Sequence, residues 1–302
     1  MIKVADIFTK QVSQLGGTDS NNPDGEVRTI ICHVLRIEEE PNRFFDLSLD
    51  DKQLDQIENC VLRRTKGEPL ALILGYTDFL GLRLRVKRGV SVPVREMEEM
   101  IAHTMDELLK RCTVDQEVRI LDLGTGTGCL LLGLLKSLPN ASGVGVDSDD
   151  KSLEIAKQNA ESCGLADRSH FQKGDWLLGI EERFDLIVCN PPAAPSNMMD
   201  SLPTALRNFE PRRAVDGGYD GLCAFRAIVD AYEDVIKPTS IGVFHVHNLD
   251  READFFRQKG LGVEVKLNSR VEPCCIVVAP KQSYVFIRLL KKGLRRLVAL
   301  FE

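Results

Sequence analysis

Apolar positions in the first 75 residues recur every three or four places, which predicts amphipathic helices. Two such stretches are separated by the polar loop TDSNNPDGE, and a third follows in SLDDKQLDQIENCVLRRT. The third helix is predicted to begin near Ser48, which would serve as its N-cap. Its apolar face is predicted to contain Leu54, Ile57, Val61 and Leu62. The pattern predicts a small helical N-terminal domain over residues 1–75.

The pattern changes to short alternating runs between Leu72 and Val92. In LRLRV, the apolar residues Leu82, Leu84 and Val86 alternate with two arginines, and glycines interrupt the runs on either side. Alternation with a period of two is typical of a strand that has one buried face. We therefore predict a β-hairpin linker over residues 76–94.

Strands and helices alternate beyond this hairpin. A helix over 95–111 is followed by five strands, VRILDL, SGVGVD, residues 169–172, FDLIVCN and IGVFHVH, with helices from Cys129, over 150–163 and over 221–236 between them. This order predicts an α/β, Rossmann-like domain over 95–280, built on a parallel sheet with helices on both faces. VEVKLN and CCIVVAP are predicted to close the sheet as an antiparallel pair, with Cys274 and Cys275 on opposite faces.

Composition narrows the class of protein. The 302 residues carry 45 acidic and 39 basic side chains, a formal net charge of −6, which argues against a protein-wide basic surface for nucleic acid. Nine scattered cysteines without a CxxC pair predict reduced thiols and a cytoplasmic location. No metal site is predicted, because His245 and His247 share a strand face without a third ligand in register. No stretch reaches the roughly 18 apolar residues of a membrane span.

Residues 281–302 form a segment of different character, KQSYVFIRLLKKGLRRLVALFE, with six basic residues and one acidic residue. At helical spacing, its apolar and basic side chains fall on opposite faces. Two interpretations stay open for this basic amphipathic tail. It either packs on the sheet as a terminal element or makes a peripheral contact with a membrane or a partner.

A glycine-rich loop carries the first chemical signal. ILDLGTGTGCL places Gly124, Gly126 and Gly128 between a predicted strand and a predicted helix. Glycines allow the backbone to turn tightly and approach a ligand, and a helix N-terminus presents free N–H groups. The GxGxG spacing differs from the GxGxxG that seats a dinucleotide pyrophosphate, so the loop favours another nucleotide-like cofactor.

Two further strand ends carry polar or aromatic side chains. Asp147 ends the next strand, where its carboxylate either accepts hydrogen bonds from ribose hydroxyls or caps the following helix. In KGDWLL, Asp175 and Trp176 follow another strand, where a polar group can bond an adenine edge and an indole can pack on its face. Together with the glycine loop, these positions outline a nucleoside site.

The strand FDLIVCN runs into Asn190, Pro191 and Pro192. Two prolines fix φ and remove two N–H donors, which leaves the Asn190 side-chain carbonyl and the Pro191 backbone carbonyl to accept from a planar amine or amide. Because this turn follows both the glycine loop and the acidic strand end, it indicates a functional site for a planar amine or amide.

With these motifs, the chain resembles the class I S-adenosylmethionine methyltransferases, and among them the release-factor glutamine N5-methyltransferases of the HemK/PrmC type. The resemblance runs from about residue 1 to 280 and includes GEPLALILGYTDFLGLRLRVKRGVSVP, LDLGTGTGCLLL, VDSDDKSLEIAKQNA, GDW, NPP and FEPRRAVDGGYDGLCAFRAI. It implies S-adenosyl-L-methionine as the cofactor and Asn190, Pro191 and Pro192 as catalytic residues. The cofactor-binding residues that it implies are Asp122, Gly124, Thr125, Gly126, Gly128, Asp147, Ser148, Asp175, Trp176 and Asn190.

The chain departs from the family pattern on the substrate side. The position after the two prolines, usually an aromatic, is Ala193, and the usual Pro-Arg-Pro-Glu-Thr-Glu reads PVREME at 93–98. Three hypotheses therefore stay open. The resemblance implies transfer to a protein glutamine of a release-factor-like substrate. Space left by Ala193 would favour a small-metabolite acceptor, and a cofactor-binding protein without turnover is the third alternative. A nucleobase acceptor is disfavoured by the missing aromatic and the negative charge.

Overall fold

The computed structural model describes residues 2–18, 20–37, 43–111 and 116–281. Its N-terminal part contains the helices α1 (Val4–Leu15), α2 (Pro23–Leu35), α3 (Asp51–Thr65) and the short α4 (Leu70–Leu74). Two short strands, β1 (Ile2–Lys3) and β2 (Ser48–Leu49), pair antiparallel beside them. The first three helices enclose their own apolar core, which includes Val4, Ile30, Ile31, Ile57 and Val61.

The predicted start of the third helix is wrong by two residues. Ser48 lies in β2, and the N-cap of α3 is Asp50, whose Oδ1 accepts the Gln53 backbone N–H at 2.7 Å. The Gln53 side chain in turn accepts the Asp50 N–H at 2.9 Å, which completes a capping box. Leu62 is also wrongly placed by the pattern, because it is 53% exposed while Ile57 and Val61 are buried.

A seven-stranded sheet forms the centre of the second part, in the order β10-β11-β9-β8-β5-β6-β7. Its strands are β5 (Arg119–Leu123), β6 (Ser142–Asp147), β7 (Ser169–Lys173), β8 (Phe184–Cys189), β9 (Ile236–His245), β10 (Gly262–Leu267) and β11 (Pro273–Ala279). The first five are parallel, and β11 and β10 close the sheet as the predicted antiparallel pair. The strand order reverses between β5 and β8, and ligands of open parallel sheets bind at the carboxyl ends of strands at such a point.

Helices cover both faces of this sheet, as predicted. On one face lie α5 (Arg95–Leu109), α6 (Cys129–Ser137) and α7 (Asp150–Ser162). On the other lie α10 (Cys223–Val229), α11 (Tyr232–Val235) and α12 (Leu249–Gln258). Two short helices, α8 (Thr204–Phe209) and α9 (Arg212–Val215), follow the strand that ends at Cys189. The single helix predicted over 221–236 is therefore two helices, and β9 already begins at Ile236.

The predicted β-hairpin is present as β3 (Tyr76–Phe79) and β4 (Leu82–Arg85). Leu82 and Leu84 are buried against the sheet domain's core. Asn159 on α7 fixes the hairpin in place, because its Oδ1 accepts the Arg85 N–H at 2.7 Å and its Nδ2 donates to the Arg85 carbonyl at 3.2 Å. The same Nδ2 donates to the Thr127 carbonyl at 2.9 Å, so one buried amide joins the hairpin to the loop before α6.

The expected separation of Cys274 and Cys275 is wrong. The pairing of β10 with β11 shifts register at Lys266 and Leu267, and Cys274 is the extra residue of the resulting bulge. Both thiols consequently face the same apolar core and hydrogen-bond one another. No disulfide occurs in the part of the chain that the structure describes.

The basic amphipathic tail falls almost entirely outside the described residues, which end at Lys281. Among the helices that are described, none combines the length and the apolar character needed to cross a membrane.

Candidate functional site

The glycine loop connects β5 to α6 and is held against β6. The backbone N–H groups of Gly124 and Thr125 both donate to the Val146 carbonyl, at 2.8 and 3.0 Å. Gly124 and Gly126 have φ of 68° and 56°, a region that residues with a Cβ rarely adopt. Apart from each glycine's own chain neighbours, no described residue places an atom closer than 3.8 Å to where a Cβ would stand on either glycine, so the loop presents bare backbone at these positions.

Asp122 lies beneath this loop and supports it. Its Oδ2 accepts the Thr125 hydroxyl at 2.7 Å and the Leu131 N–H at 3.3 Å, while Oδ1 is buried without a partner among the described residues. Burial raises the pKa of this carboxyl from 3.8 to about 7. The folded protein therefore retains a proton on Asp122 over a pH range in which the unfolded chain has lost it.

We expect this carboxyl to make the free energy of unfolding fall as the pH rises from about 4 to about 7. In that window the folded state binds more protons than the unfolded state, and above it the difference is constant. At about 1.4 kcal/mol per pKa unit, the whole effect is on the order of a few kcal/mol. Asp122→Asn should remove this slope in urea titrations at pH 5 and pH 8. Parallel pH profiles for the variant and the wild type would contradict the assignment.

Asp147 ends β6 and also contacts the loop. Its Oδ2 accepts the Gly126 N–H and its Oδ1 accepts the Asp149 N–H, both at 2.9 Å. It does not cap the following helix, since the N-cap of α7 is Asp149, whose side chain accepts the Ser152 N–H at 3.0 Å. Each carboxylate oxygen of Asp147 has a further lone pair, so the predicted bonds from ribose hydroxyls are compatible with this arrangement.

Trp176 follows β7 and flanks the glycine loop. It adopts φ of 50°, in the left-handed region, and its ring would lie 3.8 Å from a Cβ on Gly124. A strained backbone held in this way is typical of functional sites. The indole is half-buried against the core on the α10 and α12 side of the sheet, which leaves part of it free to pack on a ligand.

The Asn-Pro-Pro turn follows β8, next to β5 in the sheet. The Asn190 side chain makes no hydrogen bond to any other described residue, and it lines the same cleft as Gly124, Asp147 and Trp176. Its amide is therefore available to a ligand in that cleft.

Ala193 does not create the opening expected from the missing aromatic. It is 2% exposed, packs in the core on the α10 side, and does not line the cleft. A Cβ on Gly217 would come within 2.8 Å of the Ala193 Cα, and one on Gly221 within 2.3 Å of its carbonyl oxygen. The Arg251 guanidinium donates to the same carbonyl at 3.0 Å. The backbone of the turn is thus enclosed by neighbouring backbone and by one arginine.

One cleft collects most of the positions predicted from the sequence. Nine line it: Gly124, Thr125, Gly126, Asp147, Ser148, Asp175, Trp176, Asn190 and Pro192. Three lie behind the lining: Asp122 under the loop, Gly128 as the N-cap of α6, and the buried Pro191. Gly128 has φ of 81°, and a Cβ there would press on Leu132, Ala156 and Phe171 at 3.3 to 3.4 Å, so it is required for packing.

Sequence reasoning missed several other residues that line this cleft. They are Ser91, Val92, Pro93, Met97, Pro211, Arg213 and Ala214, which come from the segment after the hairpin, from α5 and from the segment around α9. The motifs GVSVP and FEPRRAV contain all of them except Met97, yet nothing in their spacing brings two segments about 120 residues apart together. Only the tertiary structure reveals that they face the glycine loop.

The residues present fit a nucleoside that carries a sulfonium. Gly124 and Gly126 have no Cβ that would block close approach, and Asp147 offers carboxylate oxygens to hydroxyl groups. Leu130, Val146 and Trp176 supply apolar and aromatic walls, which suit an adenine ring. The carboxylates of Asp147 and Asp175 also outnumber the one guanidinium among the described lining residues, that of Arg213, and this charge balance favours a ligand with positive charge.

The chain is similar in sequence to two described families and in fold to solved methyltransferase structures. Residues 114–256 match the family described as "Methyltransferase domain", and residues 6–75 match "PrmC N-terminal domain". Among solved structures, the hMettl16 catalytic domain in complex with the MAT2A 3'UTR hairpin 6 has a TM-score of 0.53 at 18% identity, over 81% of this chain and 87% of that one. The similarity to this solved structure shows a shared fold.

Curated relatives are more similar in sequence. The "Release factor glutamine methyltransferase" of Bradyrhizobium diazoefficiens is 39% identical over 63% of this chain, a match that spans 64% of that relative's length. The protein of the same name from Caulobacter vibrioides is 35% identical over 69% of this chain and 71% of its own length. That of Cereibacter sphaeroides is 31% identical, over 78% and 83% respectively.

Proposed function

The chain belongs to the release factor glutamine methyltransferase family, and on that premise we propose that it transfers a methyl group from S-adenosylmethionine to the side-chain amide nitrogen of a glutamine in a protein substrate. One observation supports the proposal above the others. The Asn190 amide, which has no partner among the described residues, lines the same cleft as the glycine loop, Asp147 and Trp176.

Asn190 and Pro191 are proposed to orient the acceptor. The Asn190 side-chain oxygen and the Pro191 backbone carbonyl would accept the two N–H bonds of a glutamine amide, which fixes the plane of the amide. Pro191 and Pro192 have no N–H groups that compete as donors. Both acceptors also stabilise the positive charge that develops on the nitrogen during transfer.

The other lining residues are proposed to place the cofactor and exclude water. When bound, S-adenosylmethionine supplies an electrophilic methyl group. Asp147 and Trp176 would hold the nucleoside end, while Met97, Pro93 and Pro211 close the opposite side of the cleft with apolar surface. The main contribution of the protein is then alignment of the acceptor nitrogen with the methyl carbon, since a displacement of this kind depends on positioning.

A small-metabolite acceptor is not favoured by the structure. That hypothesis depended on space beside Ala193, and the methyl group of Ala193 is enclosed in the core. A protein substrate also gives the helical part over 1–75 a role in recognition, which is a proposal of the same kind. A cytoplasmic location and a contact of residues 281–302 with a membrane or a partner stay predictions.

The proposal is tested by incubating the purified chain with methyl-labelled S-adenosylmethionine and a bacterial peptide release factor. We expect label to enter the factor, and fragment mass spectrometry should locate the methyl group on one glutamine amide. A factor with that glutamine replaced by alanine is the matched control and should stay unlabelled. Label on a small-molecule extract but not on the factor would overturn the assignment of a protein acceptor.

A further inference from the structure

Two chain segments that are distant in sequence contact one another and together line the cleft. We call residues 88–93 together with residues 208–214 the strap. The Val92 N–H donates to Glu210 Oε1 at 3.1 Å, and the Arg88 guanidinium lies over the Phe209 ring at 5.4 Å. Each segment contributes three residues to the cleft lining: Ser91, Val92 and Pro93 from the first, and Pro211, Arg213 and Ala214 from the second.

The Glu210 carboxylate links the two segments of the strap by hydrogen bonds. Burial raises the pKa of its carboxyl, although the Val92 N–H and the Ser91 hydroxyl both donate to it. Its second oxygen, Oε2, is buried without a partner among the described residues. These contacts stay within the strap, so they keep it together without fixing it to the cofactor side of the cleft.

Arg213 makes the connection to the cofactor side. Its guanidinium Nη2 lies 2.7 Å from the Gly89 carbonyl oxygen and 2.6 Å from Asp149 Oδ2. One side chain thereby joins the hairpin linker, the segment around α9 and the N-terminus of α7. Asp149 is two residues beyond Asp147, so the ion pair joins the strap to the chain segment that carries the predicted ribose position.

The pair is suited to open and close. The Arg213 side chain is 42% exposed and that of Asp149 is 22% exposed. Ion pairs that water can reach are weak, and they break without unfolding the elements that carry them. Because Arg213 itself lines the cleft, loss of its bond to Asp149 would release the strap from α7 at a residue that borders the ligand space.

We propose that Arg213 is a positioning residue that holds the strap closed over the nucleoside end of the cofactor and so slows cofactor exchange. The inference deepens the proposed function and rests on it, since it takes the cleft to be the S-adenosylmethionine site. The role proposed for Arg213 is to slow release of the cofactor. Methyl transfer itself is assigned to the Asn-Pro-Pro turn, and Arg213 lies outside that turn, in α9.

The test uses the intrinsic fluorescence of Trp176, which lines the cleft and is the only tryptophan in the sequence. In stopped flow, Arg213→Ala should release S-adenosylmethionine about fivefold faster than the wild type, the upper end of what the loss of one water-accessible ion pair causes. The association rate should change little, because affinity differences between related complexes fall mainly on dissociation. The KM for the cofactor should rise, while the KM for the protein acceptor stays constant. Arg213→Lys, which keeps the charge opposite Asp149, should restore most of the slow release.

Arg212→Ala is the matched control. Arg212 belongs to the same short helix, has a 70% exposed side chain, pairs with Asp216 at 2.9 Å and does not line the cleft. Its release rate should equal that of the wild type. The inference would be overturned if Arg213→Ala released the cofactor at the wild-type rate, or if both variants released it equally faster. Either result would leave the proposed function intact. Absence of any saturable binding of the cofactor by the wild type in calorimetry would instead overturn the proposed function.

Discussion

Replacement of Asn190 by alanine is expected to lower kcat for methyl transfer by about a thousandfold, the scale seen when one preorganised polar contact to a transition state is removed. The side chain lines the cleft and has no partner among the described residues, so its loss leaves no other group unpaired. The acceptor nitrogen would lose the bond that fixes its direction toward the methyl carbon.

Cofactor binding separates this effect from general damage. Asp147, Trp176 and the glycine loop form the proposed cofactor half of the cleft. Asn190→Ala should therefore bind S-adenosylmethionine within about twofold of the wild type, a smaller change than the loss of even a weak hydrogen bond would cause. Asn190→Asp keeps an acceptor oxygen and should retain more activity than alanine. Transfer at the wild-type rate by Asn190→Ala would refute the assigned role.

Replacement of Gly221 by alanine is expected to lower the free energy of unfolding by about 3 kcal/mol or more, through backbone strain and overpacking together. Gly221 has φ of 75°, and its Cβ would stand 2.3 Å from the Ala193 carbonyl oxygen. That atom belongs to backbone, which cannot move aside as the end of a flexible side chain does. The displaced turn also carries Asn190, so activity should fall together with stability.

Gly179→Ala isolates the contribution of the backbone angle. Gly179 has φ of 76°, and no described residue beyond its chain neighbours places an atom within 4 Å of where its Cβ would stand. Its substitution should cost about 1 to 2 kcal/mol, the penalty of a left-handed conformation alone. Urea denaturation of both variants measures the difference. Equal destabilisation at the two positions would show that the contact with the Ala193 carbonyl does not constrain the turn.

The fold was largely predictable because its signals are local. The parallel strands are runs of apolar residues, and the hairpin shows strict alternation at Leu82 and Leu84, both of which are buried. Predictions from local sequence were wrong where contact with a neighbouring strand determines the structure. The bulge at Cys274 depends on the register of the adjacent strand, and the start of α3 depends on the pairing of Ser48 with Lys3.

The site divides in the same way. Gly124, Asp147, Trp176 and Asn190 each follow a strand of one parallel sheet, so the topology alone brings them to one edge. Arg213 could not be predicted, because its two partners lie about 60 and 120 residues away and no periodicity links them. The burial of Ala193 could not be predicted from the sequence either, because the glycines that enclose it lie more than 20 residues downstream.

Asn159 has a consequence for the construction of chimeric proteins. Its amide satisfies backbone groups of both the hairpin and the loop before α6. Consider a chimera in which residues up to Arg85 come from one relative and the rest of the chain from another. The bonds of Asn159 are kept in it only if the second relative also has an asparagine at position 159. A side chain that fills the same volume without an amide would leave three backbone groups to find other partners. We expect that whether such a chimera folds depends more on an asparagine at position 159 than on the overall sequence similarity of the two parents.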